Sequence, residues 1–249
     1  MTLKTVLKSV LRRAGYAVYA IPKAGGERRG DYAYAEAHPN ATLAPWLTDD
    51  DFMQAFEVAK SNTLVDIYRL HELWSLVAET DKAGGDIVEV GVWRGGSGCL
   101  MAKKAQLMGA NSTVWLCDTF SGVVKAGDQD SYYRGGEHSD TSEAVVSDLA
   151  ARLGLNNIKT LTGIFPDDTG AQLDASAVRL LHIDVDVYQS ARDTVDYLWD
   201  RMPSGAAIVF DDYGFVGCEG VTRYADSLRE RQDLTYLHNL NGHAVLVKR

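Results

Sequence analysis

Beyond residue 85 the chain alternates between two rhythms. Short runs of Val, Ile and Leu occur at 86–90 (DIVEV), 113–117 (TVWLC), 158–161 (IKTL), 178–183 (VRLLHI) and 206–210 (AAIVF). Stretches with helical spacing lie near 97–109, 141–153, 190–201 and 219–231. Strand-like runs alternating with helical ones predict an α/β domain, a mostly parallel sheet with helices on both faces. Two further runs, 234–240 and 243–248, are separated by Asn241-Gly242. Both central residues of a type I′ turn need positive φ, which Asn-Gly supplies, so the chain should close with an antiparallel hairpin.

Upstream the pattern is helical. Residues 49–60 begin with acids, which suit a helix N-terminus. In 66–79, Ile67, Leu70, Trp74 and Val77 fall on one face. Residues 21–46 contain Pro22, Gly25, Gly26, Gly30, Pro39 and Pro45 without a sustained period and read as a connecting arm. In residues 1–13, Leu3, Val6, Leu7, Val10 and Leu11 recur at helical spacing among basic residues. That face should pack on the body or on a second subunit, so a homo-oligomer is expected. The division expected is a helical arm over 1–60 and a main domain over 61–249.

Composition removes several function classes. Among 249 residues, 34 Asp and Glu against 25 Lys and Arg leave a formal charge of −9, which argues against nucleic-acid binding. No apolar run approaches the ~18 residues of a membrane span. The three cysteines, Cys99, Cys117 and Cys218, form neither a zinc pattern nor a disulfide framework, which points to the cytoplasm.

The run 86–90 leads into EVGVWRGGSG, with four glycines at 91, 95, 96 and 98. Glycines between a strand and a helix let backbone approach a ligand closely. The loop lacks the G-x-G-x-x-G of dinucleotide sites, and Glu89 stands just before it. A carboxylate there would repel a pyrophosphate. It would not repel S-adenosylmethionine, which carries a sulfonium and an ammonium. Asp118 ends the next strand and is placed to accept hydrogen bonds from ribose hydroxyls, a signal shared by both cofactors.

Four aspartates end the fourth and fifth strand-like runs: Asp184 and Asp186 in LLHIDVDV, and Asp211 and Asp212 in IVFDDYG. If the strands are neighbours, about 4.8 Å apart, these carboxylates crowd at the carboxyl end of the sheet. Like charges so close resist common ionisation. A cation is needed, and all-oxygen ligands favour Mg²⁺, Mn²⁺ or Ca²⁺ over zinc. On an extended strand Asp184 and Asp186 point to one face, so one can hold metal while the other meets a substrate hydroxyl.

Residues 122–141 (GVVKAGDQDSYYRGGEHSDT) have no period and read as a lid over an acceptor, with Tyr132, Tyr133, Arg134 and His138 as candidate contacts. His182, inside an apolar strand, reads as a hydrogen-bonded core residue. His71, His238 and His243 have no partner pattern, Trp74, Trp199 and Tyr197 read as core, and Cys99 reads as a packing residue. There is no G-x-S-x-G elbow of a hydrolase.

Together EVGVWRGGSG, VWLCDTFSG, LLHIDVDVYQS and IVFDDYG closely resemble the TylF-type macrocin O-methyltransferase family over roughly residues 60–249. The resemblance implies a class I methyltransferase, a Rossmann-like sheet that ends in an antiparallel hairpin. It implies transfer of a methyl group from S-adenosylmethionine to a sugar hydroxyl of a glycosylated natural product, a small-molecule glycoside. It further implies that Asp184, Asp211 and Asp212 hold Mg²⁺ (or Mn²⁺), that Asp186 is the general base, and that Thr63, Glu89, Gly91, Asp118 and Ser121 contact the cofactor. A phenol or catechol O-methyltransferase is the alternative within this chemistry, though the lid is polar. A nicotinamide-dependent oxidoreductase is the alternative outside it, set back by the missing dinucleotide motif. A non-catalytic scaffold would have no reason to keep four crowded aspartates.

Overall fold

The computed structural model describes residues 27–35, 41–239 and 241–249. The chain divides into two compact units, 1–40 and 41–249. In the first, β1 (Glu27–Arg29) and β2 (Tyr32–Tyr34) form an antiparallel ribbon, with Arg28 opposite Ala33. Three-residue strands are too short to show a period, so this ribbon is absent from the sequence reading. The helical face expected over 1–13, and the oligomer inferred from it, lie outside the described residues.

The second unit is a seven-stranded sheet built from β3 (Asp86–Val90), β4 (Val114–Asp118), β5 (Ile158–Thr162), β6 (Val178–Ile183), β7 (Ala207–Phe210), β8 (Leu234–His238) and β9 (Ala244–Lys248). Its order is β5-β4-β3-β6-β7-β9-β8. The first five are parallel, and β9 runs antiparallel to both β7 and β8. The order reverses between β3 and β6, and open α/β sheets bind ligands at that point, beyond the strands' carboxyl ends.

Among the described residues six α-helices cover the sheet: α1 (Asp50–Ala59), α2 (Ile67–Glu79), α3 (Gly96–Leu107), α4 (Glu143–Leu153), α5 (Tyr188–Leu198) and α6 (Glu219–Ser227). Strand residues alternate between faces. Ile87, Leu116, Leu180 and Val209 join a core with Phe52, Leu70, Trp74, Met101 and Leu149 from α1 to α4. Val88, Cys117, Leu181 and Phe210 join the opposite core with Val195, Leu198, Val221 and Ala225 from α5 and α6. Among the described residues no helix is long and apolar enough to cross a membrane.

The domain begins earlier than residue 61. Phe52, Ala55 and Ala59 of α1 are buried in the same core as Trp74, and the Trp74 indole N–H donates to Asp49 at 2.9 Å. Asp49 also caps α1 by accepting from the Phe52 amide, which explains why the helix starts there. Phe52→Ala should therefore lower unfolding free energy by ~3–5 kcal/mol in urea titration. A loss below about 1 kcal/mol would mean that α1 only rests on the surface.

Candidate active site

Two strand ends and the turns after them build the site. At the end of β3, Gly91 takes φ +86°, and a Cβ there would overlap the Asp184 carbonyl oxygen. The Asp184 amide in turn donates to the Val90 carbonyl at 2.9 Å. The glycine thus lets the β3 and β6 ends meet. A Cβ at Gly96, which opens α3, would stand 2.6 Å from the Thr63 Cβ, which sets Thr63 against the glycine loop.

Asp118 fastens that loop. One of its carboxylate oxygens accepts from the amides of Val92 (2.6 Å) and Trp93 (2.8 Å), and the other from Phe120 (2.7 Å). A carboxylate offers about four lone-pair sites, so the Phe120-bound oxygen keeps acceptor capacity. Asp118, Thr63 and Gly91 all line one cavity of about 350 Å³.

Two residues expected at the cofactor are not on the wall of this cavity. Glu89 is fully buried beneath α3, where Gly98 leaves room for it, and it is not on the cavity wall. Its Oε1 meets His182 Nδ1 at 2.9 Å, a pair the register brings together because Glu89 is opposite His182. Ser121 is exposed and its hydroxyl donates to the Thr119 carbonyl at 3.3 Å; Thr119 and Gly122 form the wall instead.

The aspartates converge. Ile183 and Phe210 are in register, so Asp184 and Asp211 leave adjacent strand ends. Ligand oxygens of Asp184, Asp211 and Asp212 lie within 4.8 Å of one another. Asp186 does not share a strand face with Asp184, because β6 ends at Ile183 and Asp186 takes φ +64°. The turn sends its amide to Asp212 Oδ2 at 2.8 Å and its carboxylate toward Tyr133 and Cys218.

Electrostatics separates these acids. Burial and the charges of their neighbours push Asp184 and Asp212 well above the usual carboxylate range. Burial also pushes Asp211 up, but His182, His243 and Arg69 outweigh it and hold Asp211 well below that range. Asp186 is raised chiefly by burial, against a hydrogen bond from Tyr133 and the nearby His138. Arg69 is the one Lys or Arg on the cavity wall among the described residues. Three crowded carboxylates share one guanidinium on the cavity wall, and their oxygen-only donor set fits a hard divalent cation.

Two participants escape sequence reasoning. Arg69 pairs with Asp211 and, at 2.8 Å, with Asp66. His243, fully buried, reaches Asp211 at 2.8 Å through Nε2 and Glu72 through Nδ1. His182 is a core residue as expected, with Nε2 3.6 Å from Asp211, beyond hydrogen-bond length. Burial disfavours its charge, yet Asp211 and Glu89 raise it to about 10. Cys99 is buried, with its thiol raised to about 12 chiefly by burial, which suits packing and not nucleophilic attack.

The segment 122–141 has no helix or strand but is tied down. Asp130 accepts from the Tyr188 amide at 2.9 Å, and Lys125 bridges Asp193 and Asp167. Tyr133 and His138 reach the cavity. Tyr132 and Arg134 do not: Tyr132 is 69% exposed, and the Arg134 guanidinium donates to the Tyr133 and Ser131 carbonyls.

Residues 52–249 match the family model described as macrocin O-methyltransferase (TylF). The chain belongs to this family. It is 32% identical over 171 residues to the 8-demethyl-8-(2,3-dimethoxy-alpha-L-rhamnosyl)-tetracenomycin-C 4'-O-methyltransferase of Streptomyces olivaceus, covering 64% of this chain and 65% of that one. It is 31% identical over 183 residues to the mycinamicin III 3''-O-methyltransferase of Micromonospora griseorubida, covering 67% and 71%. The matched stretch thus spans about two thirds of these relatives' length. Among solved structures, the O-methyltransferase NovP superposes with TM-score 0.65 at 26% identity, covering 76% of this chain and 82% of NovP. The sheet and its closing hairpin are those of class I O-methyltransferases.

Gly91→Ala tests the meeting of strand ends. The added Cβ must displace the Asp184 carbonyl, and positive φ is unfavourable for alanine. We expect a loss of more than ~2 kcal/mol in chemical denaturation; unchanged stability would show that the two strand ends separate without cost.

Proposed function

We propose that this protein transfers a methyl group from S-adenosylmethionine to a sugar hydroxyl of a glycosylated natural product, with Mg²⁺ or Mn²⁺ held by Asp184, Asp211 and Asp212. The observation that carries the proposal is that these carboxylates converge at the same cavity that the glycine loop and Asp118 line. The names of the tetracenomycin and mycinamicin relatives support a glycoside acceptor.

S-adenosylmethionine supplies an electrophilic methyl group. A divalent cation lowers the pKa of a hydroxyl bound to it. The chain's own residues do the rest. Gly91 and Thr63 shape the cofactor end, and Asp118 offers its remaining lone pairs to ribose hydroxyls. Asp186 takes the acceptor's proton: burial raises its basicity, and the hydrogen bond with Tyr133 orients it. Tyr133 and His138 cover the acceptor and exclude water.

The mouth supports the acceptor class. Leu64, Phe215 and Val216 line the cavity yet are 68%, 42% and 50% exposed, an apolar rim suited to an aglycone. Arg69 is committed to Asp211 and Asp66, so it is not free for a phosphate group. These features favour a neutral glycoside over a nucleotide-linked sugar. The free, buried cysteines accord with the cytoplasm as its location.

The decisive assay offers rhamnosylated natural products with S-adenosylmethionine, with Mg²⁺ or with chelator. Methylation that stops on chelation and returns with metal is expected; binding of NAD without response to S-adenosylmethionine would refute the proposal. Two substitutions divide the acids. Asp186→Asn should lower turnover ~10²–10⁴-fold, as loss of a general base does, with Mn²⁺ affinity by calorimetry nearly unchanged. Asp212→Asn removes one of the crowded charges, so the metal-free protein should melt no lower than the wild type. The rise in melting temperature that Mn²⁺ gives the wild type should disappear. If Asp186→Asn abolishes Mn²⁺ binding instead, the proton acceptor lies elsewhere.

A further inference from the structure

The geometry points to His243 as a positioning residue: together with Glu72 it fixes the Asp211 carboxylate in the orientation that receives the metal. This inference rests on the reading of Asp211 as a metal ligand.

The sheet register creates the contact. Phe210 on β7 is opposite Ala244 on the antiparallel β9. One step beyond Phe210 is Asp211, and one step before Ala244 is His243, so the two residues leave their strands side by side. His243 Nε2 lies 2.8 Å from Asp211 Oδ1, and Arg69 donates to Asp211 Oδ2. Both oxygens are thus held from directions set by different elements.

The imidazole is itself held. Its Nδ1 meets Glu72 Oε2, and Glu72 Oε1 accepts from the Asn239 side chain at 2.8 Å. Asn241 reaches Asp66, the residue that caps α2 and pairs with Arg69. The β8–β9 turn and the first two turns of α2 are therefore laced together around Asp211. A ring with carboxylate partners on both nitrogens cannot rotate without breaking both contacts. Hydrogen bonds to ligating carboxylates are a common way to fix a metal site, and losing such a partner typically costs ~10–100-fold in metal affinity.

Two amide substitutions separate positioning from packing. The glutamine amide extends to about where Nε2 sits and can still donate to Asp211. The asparagine amide extends to about Nδ1, facing Glu72, and cannot. Calorimetric titration with Mn²⁺, beside titration with S-adenosylmethionine and thermal melting, should show His243→Asn weakening Mn²⁺ binding ~10–100-fold with cofactor affinity unchanged. His243→Gln should stay within a few fold of the wild type. Glu72→Gln, at a partly exposed position, should weaken Mn²⁺ several-fold and decides the matter if the His243 variants do not fold. Wild-type Mn²⁺ affinity in folded His243→Asn, equal weakening by Asn and Gln, or an unaffected Glu72→Gln would overturn the inference. Wild-type protein that binds no Mn²⁺ would overturn the ligand reading itself and this inference with it, a result distinct from the others.

Discussion

Negative charge forced together at the carboxyl ends of β6 and β7 governs the rest of the site. Two unit charges about 4–5 Å apart interact by roughly 3–4 kcal/mol at an effective dielectric near 20. Asp184, Asp211 and Asp212 meet within 4.8 Å and are largely removed from water. The fold answers this repulsion unevenly. It surrounds Asp211 with Arg69, His243 and His182, and leaves Asp184 and Asp212 without comparable partners. One acid is paired by the protein, and the others are left to crowd each other. An evenly compensated cluster would be more stable and would bind a metal less strongly.

The closing hairpin bears on the same cluster. A sheet that stayed parallel to its edge would bring another carboxyl end, with its loop, beside β7. An antiparallel β9 brings an amino end, and with it the approach from the Asn-Gly turn. That reversal puts His243 beside Asp211. The hairpin thus contributes a side chain to the site as well as a paired neighbour for β7.

Much of this was legible in the residues, and what was not has a common cause. The four inner parallel strands β3, β4, β6 and β7 could be read because strands covered on both faces are largely apolar, and the hairpin because Asn-Gly marks its turn. Asp118, Asp184, Asp211 and Asp212 could be placed at strand ends from the same runs. Arg69 and His243 could not, because their partners are 142 and 32 residues away and only the strand order joins them. The misplacement of Asp186 came from extending β6 through it; a left-handed aspartate has no signature beyond its residue type. The position of Glu89 before a glycine points toward the loop, while the pleat turns its side chain under α3 and into contact with His182.

The left-handed turn at Asp186 has a consequence for the proposed division of roles. A non-glycine residue at positive φ costs on the order of 1–3 kcal/mol and persists only where surrounding contacts hold it. Here the Asp186 amide is held by Asp212 and its carboxylate meets Tyr133. An extended chain would carry Asp186 along the line of β6, away from the turn that follows β7. The turn folds it back, so its backbone supports one carboxylate of the cluster while its side chain faces the lid. Strain at this single residue therefore separates two neighbouring acids of one motif, one directed at the carboxylate cluster and one at the lid.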